Sequence, residues 1–378
     1  MTETYRHIDP LQKLGSNASL VDKLKLLHTF LKKQHDFIDR IAVALYDRPS
    51  DLLKTFIWSS DDESPLTHYQ SKMANSPALL EISQSSHPRV VNNMDIFADG
   101  QHKHTRLLNK AHFGSSYTFP MFKEGHFVGF IFFNSFQKGA FQESFLNQLD
   151  MAAHILALIV SHEQDVVETL QASIKSAMHF THHRDPETAS HIDRMSRFSR
   201  LIAEELAQKH HFDDDYIEHI FLFSPLHDIG KISIPDSVLL KPGKLNAEEF
   251  EVMKEHAQRG REIIEAMLED FNLEGLKHIE ILKNIAQCHH EACDGSGYPQ
   301  GLTKDDIPIE ARIVAVADIF DALTSVRPYK EAWSNDKAFE TILAMAGTKL
   351  DEECVQALIK NREEVESIQA LFKENSIG

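Results

Sequence analysis

Short runs rich in apolar, β-branched and aromatic residues recur in the first third of the chain. IAVALYD (41–47) and KTFIWSS (54–60) predict strands, and SSYTFPMF (115–122) with HFVGFIFFNS (126–135) predicts a hairpin about Lys123-Glu124-Gly125. The segments 22–40 and 141–162 instead repeat apolar residues every three or four positions, as an amphipathic helix does. A helix, a small antiparallel sheet and a closing helix make an α+β domain over residues 1–162. Beyond it, Val166, Leu170, Ile174 and Ala177 form one apolar stripe without Pro or Gly, which predicts a connecting helix over 163–180. Such a helix either packs on its own domain or pairs across a parallel dimer. After residue 180 strand patterns cease. Helical spacing dominates 189–209, 214–227, 246–268, 276–290, 308–325, 335–347 and 350–373, and Asn246 with Glu249 has the form of a capping box. Residues 181–378 are therefore expected to be all-α.

Composition narrows the function. At 378 residues, 42% hydrophobic and 25% charged, the chain can give each of two domains its own core. The net charge of −18 argues against long nucleic acid as a partner and leaves room for a small phosphate ester held by local cations or metals. Three cysteines, Cys288, Cys293 and Cys354, are too few for a disulfide framework and suit a reducing compartment. The start, MTETYRHIDPLQKLG, has no apolar signal region. The most lipid-like run, Ala152 to Val160, is shorter than the roughly 20 apolar residues a membrane span needs. The expectation is a cytoplasmic protein without a membrane anchor.

The second half carries residues that composition does not explain. Glu187 and His191 stand i, i+4, one helical face apart, as two metal ligands would, although wet helix faces carry such pairs too. The apolar helix FLFSPL ends in His227-Asp228-Ile229-Gly230-Lys231, with Gly230 read as its terminator. His227 offers a nitrogen, and Asp228 offers two oxygens, enough to bridge two metals. Lys231 can present an ammonium to a phosphate. His256 lies near the apolar face of its helix, where a lone histidine is more often a satisfied core residue. His289 and His290 precede a tight loop, HHEACDGSGYP, whose Gly295 and Gly297 permit sharp turns. Asp318 and Asp321 interrupt a helix that is apolar nearly all round, and a buried carboxylate needs a cation, a metal or several donors. Imidazole and carboxylate ligands without thiolate suit Fe, Mn or Zn better than Ca or Mg.

These motifs, HDIGK (227–231), HHEACDGSGYP (289–299) and Arg327-Pro328-Tyr329-Lys330, in this order, resemble the HD-GYP family of HD phosphohydrolases over residues 165–375. Residues 15–160 resemble a GAF sensory domain in their order of elements. The resemblance implies a two-domain protein, a GAF-like α+β domain followed by an all-α HD-GYP bundle. It implies metal-dependent hydrolysis of a cyclic dinucleotide, typically cyclic di-GMP to pGpG and sometimes GMP, by a metal-activated hydroxide. Residue by residue, His191, His227, Asp228 and Asp318 match the ligands common to HD enzymes, with Asp228 bridging. His256, His289 and His290 match ligands of a second ion. Glu187 matches the carboxylate of members that hold a third, so three divalent ions, iron or manganese, are expected, or two if Glu187 does not bind. Lys231 matches a contact to the scissile phosphate, and Arg327 and Lys330 match positions that grip the substrate. Asp321, Tyr298 and Pro299 match supporting and loop-shaping positions. A homodimer through the GAF-like domain and connecting helix, and GGDEF-type signalling partners, are implied as well. Three rival readings stand beside this one: a nucleotide monophosphatase or dNTP hydrolase, a phosphodiesterase for 3′,3′-cyclic GMP-AMP, and a GAF-gated binding module without turnover.

Overall fold

The structure, a computed structural model, describes residues 7–16, 18–61, 68–97, 112–180, 189–271, 273, 277–325 and 332–373, with the backbone alone for 174–180 and 189. The chain divides into two units, Met1–Val166 and Val167–Gly378.

The first unit is an α+β fold around an antiparallel sheet. Helix α1 (Leu20–Gln34) starts at Ser19, whose hydroxyl accepts the Asp22 N–H. Strands β1 (Arg40–Asp47), β2 (Leu52–Ser60) and β3 (Gln70–Lys72) precede α2 (Pro77–Ser85), and β4 (Arg89–Val91), β5 (Ser115–Lys123) and β6 (His126–Ser135) follow it. Their order is β3-β2-β1-β6-β5-β4, each pair antiparallel. The expected hairpin turns through Glu124 and Gly125, both at positive φ (50° and 80°), which matches the twist of the flanking strands. The sequence pattern missed β3, β4 and α2, because three-residue edge strands are too short to carry a period. One face of the sheet supplies Ile41, Val43, Ile131 and Phe133 to a core shared with Leu24 and Leu27 of α1.

Helix α3 (Glu143–Phe180) is one helix of 38 residues where two segments were expected. Leu149, Ala153, Leu156 and Val160 enter the first core. Val167 and Leu170 enter the second, so the apolar stripe there runs through Val167 rather than Val166 and is at least partly used within the unit. Ala152 to Val160, read from sequence as the most lipid-like run, lies within Glu143–Ser173, a stretch long and apolar enough to cross a membrane by length and composition only.

The second unit is helical: α4 (Ala189–His210), α5 (Asp214–Phe223), the short α6 (Asp236–Leu239), α7 (Ala247–Phe271), α8 (Ile279–Cys288), α9 (Ile309–Thr324), α10 (Asn335–Met345), α11 (Glu352–Lys360) and α12 (Arg362–Leu371). Helix α9 is buried along most of its length (Ile313, Val314, Val316, Ala317 and Phe320 among others) and packs with Phe198, Ile202, Ile220 and Ile285. The capping box forms: Asn246 Oδ1 accepts the Glu249 N–H, and Glu249 Oε2 accepts the Asn246 N–H, both at 2.8 Å. Two expected helices are broken. The segment 350–373 splits at Asn361. The segment 214–227 leaves the α-helix after Phe223 and tightens into a 3₁₀ turn, Ser224–Leu226. Pro225 causes the break, since its ring lacks an N–H and would crowd the carbonyl four residues back. That carbonyl, of Phe221, is taken instead by the Ser224 hydroxyl at 3.2 Å.

Candidate metal centre

The break at Pro225 delivers His227 and Asp228 to the interior, 1% and 6% exposed. Three histidines are oriented by one device. The Nδ1 of His227 lies 3.0 Å from the Ser224 carbonyl, that of His256 2.7 Å from Met253, and that of His289 2.9 Å from Ile285. A carbonyl oxygen only accepts, so each Nδ1 carries a proton, and in the neutral ring Nε2 then keeps its lone pair. The Nε2 atoms of His256 and His289 converge on Asp228 Oδ1, at 3.1 and 3.6 Å. These two nitrogens and that oxygen are buried and make no hydrogen bond. Polar atoms in that state are costly unless something else binds them, and a divalent ion fits the donor set.

Two ligand groups result. Asp228, His256, His289 and His290 place one ligand atom each within 4.8 Å of one another, and so do His191, His227 and Asp318. The groups adjoin, because His227 Nε2 is 3.3 Å from Asp228 Oδ2. Either could hold a metal. Asp228 stays anionic: burial opposes its ionisation, but the Lys231 ammonium beside it holds its carboxyl well below the usual range. Burial pushes His289 down, and burial together with His289 pushes His290 down further, which keeps both imidazoles neutral as ligands must be. Lys231 Nζ sits 2.6 Å from Asp228 Oδ2.

The two aspartates of α9 part company. Asp318 contributes an oxygen 3.7 Å from His191 Nε2. Asp321 is fully buried behind His191 and accepts from its Nδ1 at 2.7 Å. Arg194 grips the same carboxylate with Nε at 2.6 Å and Nη2 at 2.9 Å, and the Ser325 hydroxyl adds a third donor at 2.8 Å. This anchor fixes the ring of His191 and its tautomer. Asp321→Asn is expected to weaken metal retention by the His191 group by about 10- to 100-fold. Competition with a chromophoric chelator would measure it, and wild-type affinity in the variant would refute the anchor.

The loop after His290 is built to press on the histidine pair. Glu291 accepts the N–H groups of Gln300 and Leu302 at 2.7 and 2.9 Å, closing the loop. Gly295 has φ +78°, and a Cβ on Gly297 would fall 2.2 Å from the Ala292 nitrogen. The Tyr298 N–H then reaches the His290 carbonyl at 3.2 Å, and its ring lies 4.7 Å from the His290 ring, with Pro299 following. Gly230 is not the terminator expected from sequence. The chain continues as a 3₁₀ turn, Ile229–Ser233, and glycine is needed because the backbone of α7 passes against it. Glu187, Arg327 and Lys330 lie outside the described residues. Sequence reasoning passed over Arg194 and Glu291, whose roles depend on partners that only the fold brings near.

Residues 185–354 match the model of the HD domain family. Over 228 residues the chain is 42% identical to the cyclic di-GMP phosphodiesterase response regulator RpfG of Xanthomonas campestris pv. campestris, covering 60% of this chain and 56% of that one. Over 206 residues it is 37% identical to the 3′3′-cGAMP-specific phosphodiesterase 2 of Vibrio cholerae, covering 54% and 37%. The chain thus spans little more than half the length of the first of these relatives and less of the second. Among solved structures, the GAF domain of a phosphoenolpyruvate-protein phosphotransferase from Coxiella burnetii is similar at 14% identity and a TM-score of 0.34, covering 41% of this chain and 90% of that one.

Proposed function

We propose that this chain is a metal-dependent phosphodiesterase of the HD-GYP type that opens cyclic di-GMP to linear pGpG, with the first unit regulating the second. The observation that carries the reading is the pair of adjoining ligand groups, with buried imidazole nitrogens aimed at Asp228 and an ammonium, Lys231, beside it. His191, His227, Asp228 and Asp318 would hold one ion, and Asp228, His256, His289 and His290 another. Glu187 would complete a third, with iron or manganese as the metal. Bound divalent ions supply an activated hydroxide at neutral pH and neutralise charge on the phosphoryl oxygens. Asp228, shared between the groups, sets their spacing. The neutral histidines keep the site's positive charge on the ions and on Lys231. Lys231 Nζ can leave Asp228 Oδ2 to donate to a phosphate oxygen. Arg327 and Lys330 would hold the flanking phosphate or the bases. The low cysteine count and the nucleotide substrate favour action in the cytoplasm.

A second reading, preference for 3′,3′-cyclic GMP-AMP, is favoured by the relative named for that substrate at 37% identity. One experiment addresses both. The full chain is prepared anaerobically, loaded with Fe(II) or Mn(II), assayed for bound metal, and incubated separately with cyclic di-GMP, 3′,3′-cyclic GMP-AMP and a dNTP. The expected product is pGpG, with kcat/KM highest for cyclic di-GMP. A higher kcat/KM for the mixed dinucleotide would select the second reading. A metal-loaded protein that leaves both cyclic dinucleotides intact would refute the two together.

A further inference from the structure

Strand β1 of the first unit alternates between two environments. Ile41, Val43 and Leu45 enter the core shared with α1, so Arg40, Ala42 and Ala44 stand on the opposite face of the sheet. There they line a cavity of 150 Å³ together with Leu53, Met73 and Leu79. The alanines leave this room: their partners in β6 are the far larger Phe132 and Phe130. Strand register also sets the polar part of the lining. Arg40 is paired with Asn134, and Asn134 with Ser116. The Arg40 guanidinium donates to Asn134 Oδ1 at 2.9 Å, and the Asn134 amide donates to Ser116 Oγ at 3.0 Å. In the next row Ala42 is paired with Phe132, Phe132 with Thr118, and Thr118 with Arg89. Residues directly opposite one another share a face, so Arg89 comes to the same cavity, which it lines.

Arg89 is half-buried, and its Nε is buried without a hydrogen bond. Among the described residues it has no ion-pair partner. Burial pulls its guanidinium below the ordinary value, and Glu81, acting at longer range, opposes this only in part. Lys72 is a further cation of the lining. No Asp or Glu is among the described residues that line the cavity, although the chain as a whole carries a net charge of −18. An arginine cannot shed its proton, so a guanidinium beside apolar walls is costly until an anion meets it.

We propose that this cavity binds a small organic monocarboxylate, with Arg89 taking the carboxylate and the apolar wall over Ala42 and Ala44 taking its body. The guanidinium fork matches the two oxygens of a carboxylate. The apolar lining selects against a bare inorganic anion, which would lose its water there and gain no apolar contact. An apolar cavity of about 150 Å³ accepts benzene, so the body is a ring or a branched chain of up to about six carbons, and a nucleotide is too large. The proposal concerns the first unit alone and does not rest on the reading of the metal centre.

The test is isothermal titration of the full chain with isovalerate, benzoate and phenylacetate, with isoamyl alcohol and benzyl alcohol as uncharged counterparts and inorganic phosphate as an anion without an apolar body. At least one of the acids is expected to bind once per chain, and the alcohols and phosphate about tenfold or more weaker. Arg89→Met keeps the length of the side chain and removes its charge. It should weaken the bound acid by about 10- to 100-fold and leave the alcohols unchanged. Ala42→Val fills the cavity from its floor with a residue that suits a strand, and should weaken acids and alcohols alike by about tenfold or more. Should Arg89→Met not fold, the comparison of acid with alcohol in the wild type decides. Failure of all three acids to bind at millimolar concentration, equal affinity for an acid and its alcohol, or wild-type affinity for the acid in either variant would overturn the proposal.

Discussion

Gly230→Ala is expected to cost the second unit about 3 kcal/mol or more of stability and to empty the metal centre at the same time. A Cβ at this position would lie 1.8 Å from the His256 carbonyl oxygen and 2.5 Å from the Gly260 nitrogen. Both are backbone atoms of α7, so no side chain can turn aside, and the helix itself must shift. That helix carries His256, whose Nε2 must stay near Asp228 Oδ1. The damage to folding and to metal binding should therefore appear together. Gly260→Ala is the control. There the nearest atoms to a new Cβ are at 3.4 Å, an ordinary contact, and alanine in a helix interior is favoured over glycine by about 1 kcal/mol. Thermal unfolding and metal content of the two variants give the comparison. A Gly230→Ala protein with wild-type Tm and metal content would show that α7 does not need this close approach.

Legibility in the sequence followed the range of the interaction. Helices with a long apolar period, such as α9, could be read directly. So could the capping box at Asn246, which closes within three residues. The break of α5 at Pro225 was equally local and should have been read, since proline cannot continue a helix whose earlier carbonyl it crowds. The candidate ligands His227, Asp228, His289 and His290 stood out through their motifs. His256 looked like a core histidine, because nothing nearby in sequence distinguishes a packed imidazole from one whose Nε2 meets Asp228. Asp318 and Asp321 looked alike for the same reason: a three-residue offset on a buried helix does not say which carboxylate meets Arg194, 127 residues earlier.

Asp228→Asn is expected to fold, to lose bound metal, and to lose phosphodiesterase activity by at least about 100-fold, because removing even an outer partner of a metal ligand costs 10- to 100-fold. The amide has the same size and keeps one acceptor oxygen, so the packing around it need not change. What it lacks is the charge. Asp228 is the only acid shared by contact between the two ligand groups among the described residues, meeting His227 at 3.3 Å on one oxygen and His256 at 3.1 Å on the other. The remaining donors near it are neutral imidazoles and the Lys231 ammonium, which by itself repels a dication. Lys231→Met supplies the contrast. It removes a cation from Asp228 Oδ2 without removing a ligand, so metal should be retained or bound more tightly while turnover falls, since the phosphate loses its donor. Elemental analysis and single-turnover assays on the two variants separate a ligand from a substrate contact. Wild-type metal content and turnover in Asp228→Asn would mean that the convergence of His256 and His289 on this carboxylate serves packing alone. A loss of metal in Lys231→Met equal to that in Asp228→Asn would mean that the lysine organises the centre instead of meeting the phosphate.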